Sequence, residues 1–268
     1  MNELIKTGAT KDAIMKRLNP GYAKEAAKFL DHVQREGITA DSVKDFVAWL
    51  DTENYSAATV NKHLSAIKKT MKILFDSPSL TELQKYQLEK FLSEIKSRKI
   101  SKGEKAITTD KTLTDSELKK MINCSPKRSS LLLEFLFFTA ARVSEALNIK
   151  FGDIKKQTTD YVYFRILGKG LKERTVKIPI DLYYRIIETF QGKVFLFESK
   201  SGNKLHDRNI AKEFKRLGEK YIDRAVNPHM FRHTRATQLI RKTGKIKAVS
   251  EYLGHSTAAI TLDMYVHE

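Results

Sequence analysis

Residues 161–179 read YVYFRILGKGLKERTVKIP, and this stretch sets the fold class of the second part of the chain. Two runs rich in β-branched and aromatic residues, 161–167 and 173–179, flank the glycine-containing segment GKGLK. Such alternation on either side of a glycine turn is typical of a β-hairpin. The flanking sequence has apolar residues at helical spacing instead. We therefore predict a small antiparallel hairpin within a largely helical, mixed α+β domain.

Local signals place the helices around this hairpin. Thr114 and Glu117 form a T-x-x-E capping box that opens a helix. Asn227 followed by Pro228 is typical of a helix start, and Gly244 and Gly254 of helix ends. The apolar spacing predicts further helices over residues 129–147, 181–189, 207–221 and 247–253, and a last one opening at Ser256 or Thr257.

The first part of the chain is predicted to be all-helical. Apolar residues recur every three or four positions in segments 21–36, 42–50, 56–74 and 81–95. The stretch SRKISKGEKAITTDK, residues 97–111, is polar and basic and reads as an exposed linker. We predict a mainly α protein with a helical domain over 1–97, a linker over 98–111 and a mixed domain over 112–268.

The charge points to a polyanionic partner. The chain has 49 Lys and Arg against 32 Asp and Glu, a formal net charge of +17. Residues 111–268 hold 30 basic and 17 acidic residues, and residues 1–110 hold 19 and 15, so most of the excess lies in the second part. Nucleic acid is the first candidate for this partner, with a membrane surface as the second.

Other features exclude several classes of protein. Cys124 is the one cysteine of the sequence, so an intrachain disulfide framework is excluded and a Cys-based zinc site is not expected. The N-terminus has no apolar signal region, and the most apolar run, residues 131–141, is too short to span a bilayer. We expect no membrane association and a cytoplasmic location.

Residues with chemical potential are spread along the second part. His229 and Arg232 are three apart on a predicted helix, so both project from one face, where imidazole and guanidinium suit a phosphate. His229 and His233 also have a zinc-binding spacing, but Met230 stands where a zincin has Glu, so no metal site is predicted.

Further candidates lie outside that helix. Arg142 ends an apolar run, with Glu145 one turn on, and Lys169 lies at the hairpin tip. His255 follows Gly254, and Tyr265 comes ten residues later. Each has an ordinary explanation by itself: an ion pair, a solubilising turn lysine or a packed tyrosine.

The ordered set is more specific than its parts. R-V-S-E at 142–145, the strand–GKG–strand unit, N-P-H-M-F-R-H-T-R-A-T at 227–237, Y-L-G-H-S at 252–256 and D-M-Y-V-H at 263–267 resemble the tyrosine recombinase, or phage integrase, family. The resemblance covers residues 113–268 closely. Residues 1–97 are similar to the family's helical core-binding domain, without a sharp motif.

The resemblance implies a role for each residue. Arg142 and Arg232 match the arginines that hold the scissile phosphate, and Tyr265 matches the nucleophile. Lys169 matches the hairpin lysine that protonates the departing 5′-oxygen. His229 is implied to assist proton transfer at the tyrosine, and His255 to support the phosphate. Glu145 matches an acidic neighbour that positions the first arginine.

The implied activity is site-specific recombination of double-stranded DNA through a covalent 3′-phosphotyrosine and a Holliday junction, by a tetramer on two DNA sites. Guanidinium groups supply the positive charge, so no metal and no small-molecule cofactor are expected. Two alternatives stay open, a catalytically silent DNA-binding accessory protein and a strand-passage enzyme like type IB topoisomerases. A metal-dependent nuclease is disfavoured because no carboxylate cluster accompanies the basic elements.

Overall fold

The computed structural model describes residues 11–33, 40–75, 81–99, 109–168, 173–255 and 257–265. The chain divides into two compact units, Met1–Ser101 and Lys102–Glu268. Among the described residues, no helix is both long enough and apolar enough to cross a membrane.

The first unit is helical, as predicted. It begins with a helix that the sequence does not predict, α1 (Lys11–Arg17), and a 3₁₀ turn (Pro20–Tyr22). Four helices then follow the predicted segments: α2 (Ala23–Val33), α3 (Ala40–Thr52), α4 (Ala57–Phe75) and α5 (Glu82–Glu94). Its core is built from apolar side chains one turn apart, such as Leu64, Ile67 and Met71 of α4. Phe29 and Phe46 meet edge to face, with ring centroids 5.4 Å apart.

The second unit begins with a capped helix tied to its own later part. In α6 (Asp115–Cys124), the Thr114 hydroxyl accepts from the Glu117 N–H, and Glu117 accepts from the Thr114 N–H, which confirms the predicted capping box. Arg224 donates to the Glu117 carboxylate at 2.7 Å and to the carbonyls of Asp110 and Thr112. These bonds fix the start of the unit.

The single helix predicted over 129–147 is wrong. The structure has α7 (Lys127–Thr139), a left-handed residue, Ala140 (φ 48°), and then α8 (Val143–Leu147). The Thr139 hydroxyl bonds back to the Phe135 carbonyl and accepts the Ala141 N–H, which turns the chain out of the helix. Arg142 consequently becomes the extended residue that precedes α8.

The predicted hairpin is confirmed as β2 (Tyr161–Leu167) and β3 (Glu173–Pro179), with Val162 opposite Ile178 and Phe164 opposite Val176. A further strand, β1 (Ile154–Gln157), pairs with β2 and makes a three-stranded antiparallel sheet in the order β1-β2-β3. The sheet packs its apolar face on α7, where the rings of Phe135 and Phe164 touch.

Helices complete the unit: α9 (Ile180–Phe190), α10 (Asp207–Ile222), α11 (Pro228–Thr243), α12 (Ile246–Leu253) and α13 (Ala258–Tyr265). Asn227 caps α11 and Pro228 takes its first turn, as predicted. Gly244 and Gly254 end α11 and α12 in the left-handed conformation, with φ of +62° and +71°.

Candidate active site

Five of the six predicted site residues lie in described parts of the second unit: Arg142, His229, Arg232, His255 and Tyr265. Lys169, the hairpin lysine, lies outside the described residues, and so do its neighbours through residue 172.

Helix α11 carries three of the side chains that face the site. The Asn227 side chain accepts the His229 N–H at 3.0 Å and fixes the first turn. His229, Arg232 and His233 stand at i, i+3 and i+4, so they share one face. The His229 and His233 rings are 6.3 Å apart between centroids.

Arg232 is a buried cation held by two backbone carbonyls. Arg232 is 3% exposed. Its Nη1 donates to the Ala140 carbonyl at 2.6 Å, and its Nη2 donates to the Leu253 carbonyl at 2.6 Å. Burial and the nearby charge of Arg142 lower its pKa to about 10, so the guanidinium stays charged at neutral pH. The left-handed turn at Ala140, which the sequence does not predict, supplies one of these two carbonyls.

Arg142 is oriented by Glu145, as its spacing suggested. Arg142 Nη1 donates to Glu145 Oε1 at 2.8 Å, and the Arg142 N–H donates to Oε2 at 2.9 Å. A second guanidinium, that of Arg174, donates to the same carboxylate at 2.6 Å. Burial raises the pKa of Glu145, but hydrogen bonds and charge from Arg174 and Arg142 outweigh it, so the pKa is lowered and the carboxylate is ionised.

The Tyr265 hydroxyl meets His233. Tyr265 Oη and His233 Nδ1 are 2.7 Å apart. Burial raises the pKa of Tyr265 to about 12, although the charge of Arg232 acts in the opposite direction. Burial, with the neighbouring His229 and Arg232, lowers the pKa of His233 to about 4. Both groups are neutral at physiological pH, and we assign the imidazole proton to Nε2, so the phenol donates to Nδ1.

His255 and His229 share the electrostatic surroundings of the arginines. Burial, followed by the charges of Arg232 and Arg142, lowers the pKa of His255 to about 4. Its Nδ1 is 2.8 Å from the hydroxyl of the buried Thr261. Burial and the same two arginines lower the pKa of His229 as well. The structure therefore brings together the five described site residues.

Two residues of this site were not identified from the sequence. In the sequence, His233 stands out only as half of a zinc-binding spacing, and Arg174 only as one residue of a predicted strand. The available signal was weak: His233 lies one turn from His229 on the same face. Within the described ranges, no three His, Cys, Asp or Glu side chains are grouped to hold a metal ion.

The arrangement suits an anion beside a nucleophile. Two guanidinium groups border the site, neutral imidazoles surround it, and a tyrosine hydroxyl is fixed within it. A phosphodiester carries one negative charge and gains another as it is attacked, which is the charge that preorganised cations stabilise.

Comparisons with known proteins agree with this chemistry. Residues 111–268 match the model of the phage integrase family, and residues 22–77 match the phage integrase N-terminal SAM-like domain. A tyrosine recombinase of Agathobacter rectalis is 35% identical over 153 residues, which cover 52% of this chain and 47% of that protein, just under half its length. Tyrosine recombinase XerA of Pyrococcus furiosus is 31% identical over 245 residues, which cover 87% of this chain and 79% of that protein.

A solved structure has the same fold. The XerH site-specific recombinase bound to a palindromic difH substrate, in a post-cleavage complex, is 25% identical with a TM-score of 0.68, covering 91% of this chain and 74% of that one. With one family model across the described second unit, a second across most of the first, and a relative 31% identical over most of both chains, this chain belongs to the phage integrase family of tyrosine recombinases.

Proposed function

We propose that this chain is a site-specific DNA recombinase that cuts and rejoins DNA strands through a covalent 3′-phosphotyrosine on Tyr265. The observation that carries this proposal is the placement of the Tyr265 hydroxyl, bonded to His233, in the site that holds the buried Arg232. The names of the relatives, tyrosine recombinases, and the DNA complex of XerH support it.

The arginines hold the scissile phosphate. A guanidinium has five N–H donors, and the described contacts of Arg232 engage two of them. We assign a non-bridging oxygen of the phosphate to its remaining donors. Arg142, held by Glu145, takes the second non-bridging oxygen of the phosphate. Both cations lie in place before the reaction, so charge that develops on phosphorus meets them without reorganisation.

Cleavage exchanges one phosphoester for another. The Tyr265 oxygen attacks phosphorus, an Oη–P bond forms, and the bond from phosphorus to the 5′-oxygen breaks. The departing 5′-oxygen takes a proton, which we assign to Lys169. Because the phosphotyrosine preserves the ester, a 5′-hydroxyl from either DNA can reverse the step and rejoin the strand without a nucleotide.

The phenol must lose its proton as it attacks. Burial raises the pKa of Tyr265 and lowers that of His233, so transfer of the phenolic proton to His233 is unfavourable before DNA binds. We therefore give His233 the task of orienting the neutral hydroxyl, and His229 that of assisting proton transfer. His255, beside the same arginines, supports the phosphate.

The number of DNA strands to be cut and exchanged sets the number of protein chains that must act together. Two DNA sites present four strands, and each chain offers one nucleophile, Tyr265. We propose that four chains act on two sites and exchange strands in pairs, through a Holliday junction. The net charge of +17 supports binding to the DNA backbone, and we propose that residues 1–97 serve as the core-binding domain.

The nucleophile is tested with a nicked DNA substrate that traps the covalent product. Tyr265→Phe should abolish the protein–DNA band in a denaturing gel while DNA affinity stays within a few-fold. The matched control is Tyr252→Phe, another partly buried tyrosine, whose hydroxyl donates to the Phe138 carbonyl; this variant should keep the band. A band that survives in Tyr265→Phe excludes Tyr265 as the nucleophile.

The same assay separates the alternatives. Cleavage should persist in excess chelator, whereas loss on chelation and recovery with magnesium would favour a nuclease. DNA binding with no covalent band in the wild type would favour the silent accessory protein. Relaxation of supercoiled DNA without recombinant product from paired sites would favour the topoisomerase-like enzyme.

A further inference from the structure

Arg174 is a charged residue on the core side of a strand. It lies opposite Ile166 in the β2–β3 pair, and in β3 it shares its face with the buried Val176 and Ile178. Its side chain is 9% exposed. A charge in such a place is costly unless it is paired, so its partners indicate what it does.

One partner is Glu145, the carboxylate that holds Arg142. Arg174 Nη2 donates to Glu145 Oε2 at 2.6 Å, and the Glu145 side chain is 6% exposed. The carboxylate thus bridges two guanidinium groups. Without Arg174, the buried Glu145 loses one of its two cationic partners, and its position relative to Arg142 is no longer fixed from both sides.

The second neighbour of Arg174 is the turn that follows α12. A Cβ built on Gly254 would lie 3.1 Å from Arg174 Nη1 and 3.2 Å from Cδ, so the side chain lies directly against this glycine. The preceding residue, Leu253, supplies the carbonyl that holds Arg232. The following residue is His255. Arg174 therefore touches both the Glu145–Arg142 pair and the turn that holds Arg232.

We propose that Arg174 is a positioning residue for the recombination reaction, holding Glu145 and the 253–255 turn so that Arg142 and Arg232 meet the same phosphate. This inference rests on the proposed function. Arg174 acts through these residues, with no contact to the reacting atoms. Within the described residues its Nε is buried and has no hydrogen-bond partner, so the guanidinium is placed by Glu145 and by packing.

The test compares Arg174→Met and Arg174→Lys with the wild type by the single-turnover rate of covalent complex formation on nicked DNA. A misplaced phosphate-binding group of this kind costs about 10–100-fold in rate. We expect that loss for Arg174→Met, with DNA affinity within about threefold, and a smaller loss for Arg174→Lys, which keeps a charge for Glu145 but not the planar fork.

A second substrate separates positioning from loss of structure. A methylphosphonate at the scissile position removes one non-bridging charge and so lowers the need for well-placed arginines. The rate ratio between wild type and Arg174→Met should fall to within about threefold on this substrate, because the lost charge stabilisation is no longer required. A folding defect would leave the ratio unchanged.

The matched control is Arg185→Met. Arg185 makes a two-pronged ion pair with Glu134 in the same unit and a longer contact with Asp181, neither of them a predicted site residue, so its loss removes an arginine–carboxylate pair that is more exposed than that of Arg174. It should keep the wild-type rate. If Arg174→Met does not fold, Arg174→Lys carries both measurements.

Three results would overturn the inference: wild-type rates in both Arg174 variants, a loss that methylphosphonate does not relieve, or a loss explained entirely by weaker DNA binding. Failure of the proposed function gives a different result, because the wild type itself would then form no covalent complex.

Discussion

At the scale of single residues, burial sets the protonation of the site. His233 has a pKa of about 4 in the folded protein against 6.5 for an ordinary histidine, and His255 is lowered to a similar value. Between about pH 4 and 6.5 the unfolded chain therefore binds protons at these two histidines that the folded protein does not bind. The stability this confers is fully present above pH 6.5 and is lost as the pH falls towards 4.

His233→Gln should weaken the acid dependence of stability. The pKa difference at His233 corresponds to about 3 kcal/mol of unfolding free energy, lost between about pH 6.5 and 4 in the wild type and absent from the variant. Urea unfolding of the second unit at several pH values measures the slope of its unfolding free energy against pH. Tyr265→Phe is the control: it removes the same hydrogen bond but leaves His233 buried, so it keeps the slope. Equal slopes in wild type and His233→Gln would contradict the prediction.

The sequence alone identifies those site residues that belong to a motif with a characteristic order and spacing along the chain. The family resemblance predicts one site of six residues, Arg142, Lys169, His229, Arg232, His255 and Tyr265, and the structure places the five that it describes, all but Lys169, close together. His233 and Arg174 could not be found in this way. Their importance depends on which atom faces the Tyr265 hydroxyl or the Glu145 carboxylate, and those contacts join residues 32 and 29 positions apart.

At the scale of helices and strands, the sequence predicts the elements whose formation depends on residues close together in the chain. The hairpin and the start of α11 follow from side-chain alternation and from the Asn227–Pro228 pair. The break at Ala140 does not, because alanine is a strong helix former, and one of the bonds that hold the turn, from Arg232 to the Ala140 carbonyl, comes from 92 residues further along the chain. Strand β1 reads IKKQ, too short and too charged to stand out.

Gly254→Ala should impair cleavage more than stability alone explains. Gly254 has φ +71°, and its new methyl group would press on Arg174 at 3.1–3.5 Å. Gly244→Ala is the matched control, because Gly244 has φ +62° with no atom within 4 Å of the added carbon. Both variants should lose about 1 kcal/mol of unfolding free energy to backbone strain. The rate of covalent complex formation should fall about tenfold or more in Gly254→Ala alone; equal rates in the two variants would contradict this.

At the scale of the whole molecule, the described contacts near residues 98 and 110 indicate which unit holds each end of the segment between them. Residues at both ends of the segment predicted as a linker, 98–111, make described contacts of their own. The Arg98 N–H donates to the Asn61 side chain at 2.6 Å, and the same side chain donates to the Arg98 carbonyl at 2.9 Å, so Arg98 is bonded to the first unit. Asp110 and Thr112 are bonded to Arg224 in the second.

Trypsin should therefore cut the free protein first after Lys99, Lys102 or Lys105, the basic residues between these two anchored points. We propose that the two units bind DNA from both sides, so a DNA site should slow this cleavage by about tenfold or more as the chain between them is held. Mass spectrometry of the first fragments identifies the cut, and a small chromogenic substrate checks that DNA leaves trypsin itself active. Equal rates with and without DNA would contradict closure by both units. A first cut after Arg98 or Lys111 would show that these two places are less firmly held than the described contacts of Arg98, Asp110 and Thr112 indicate.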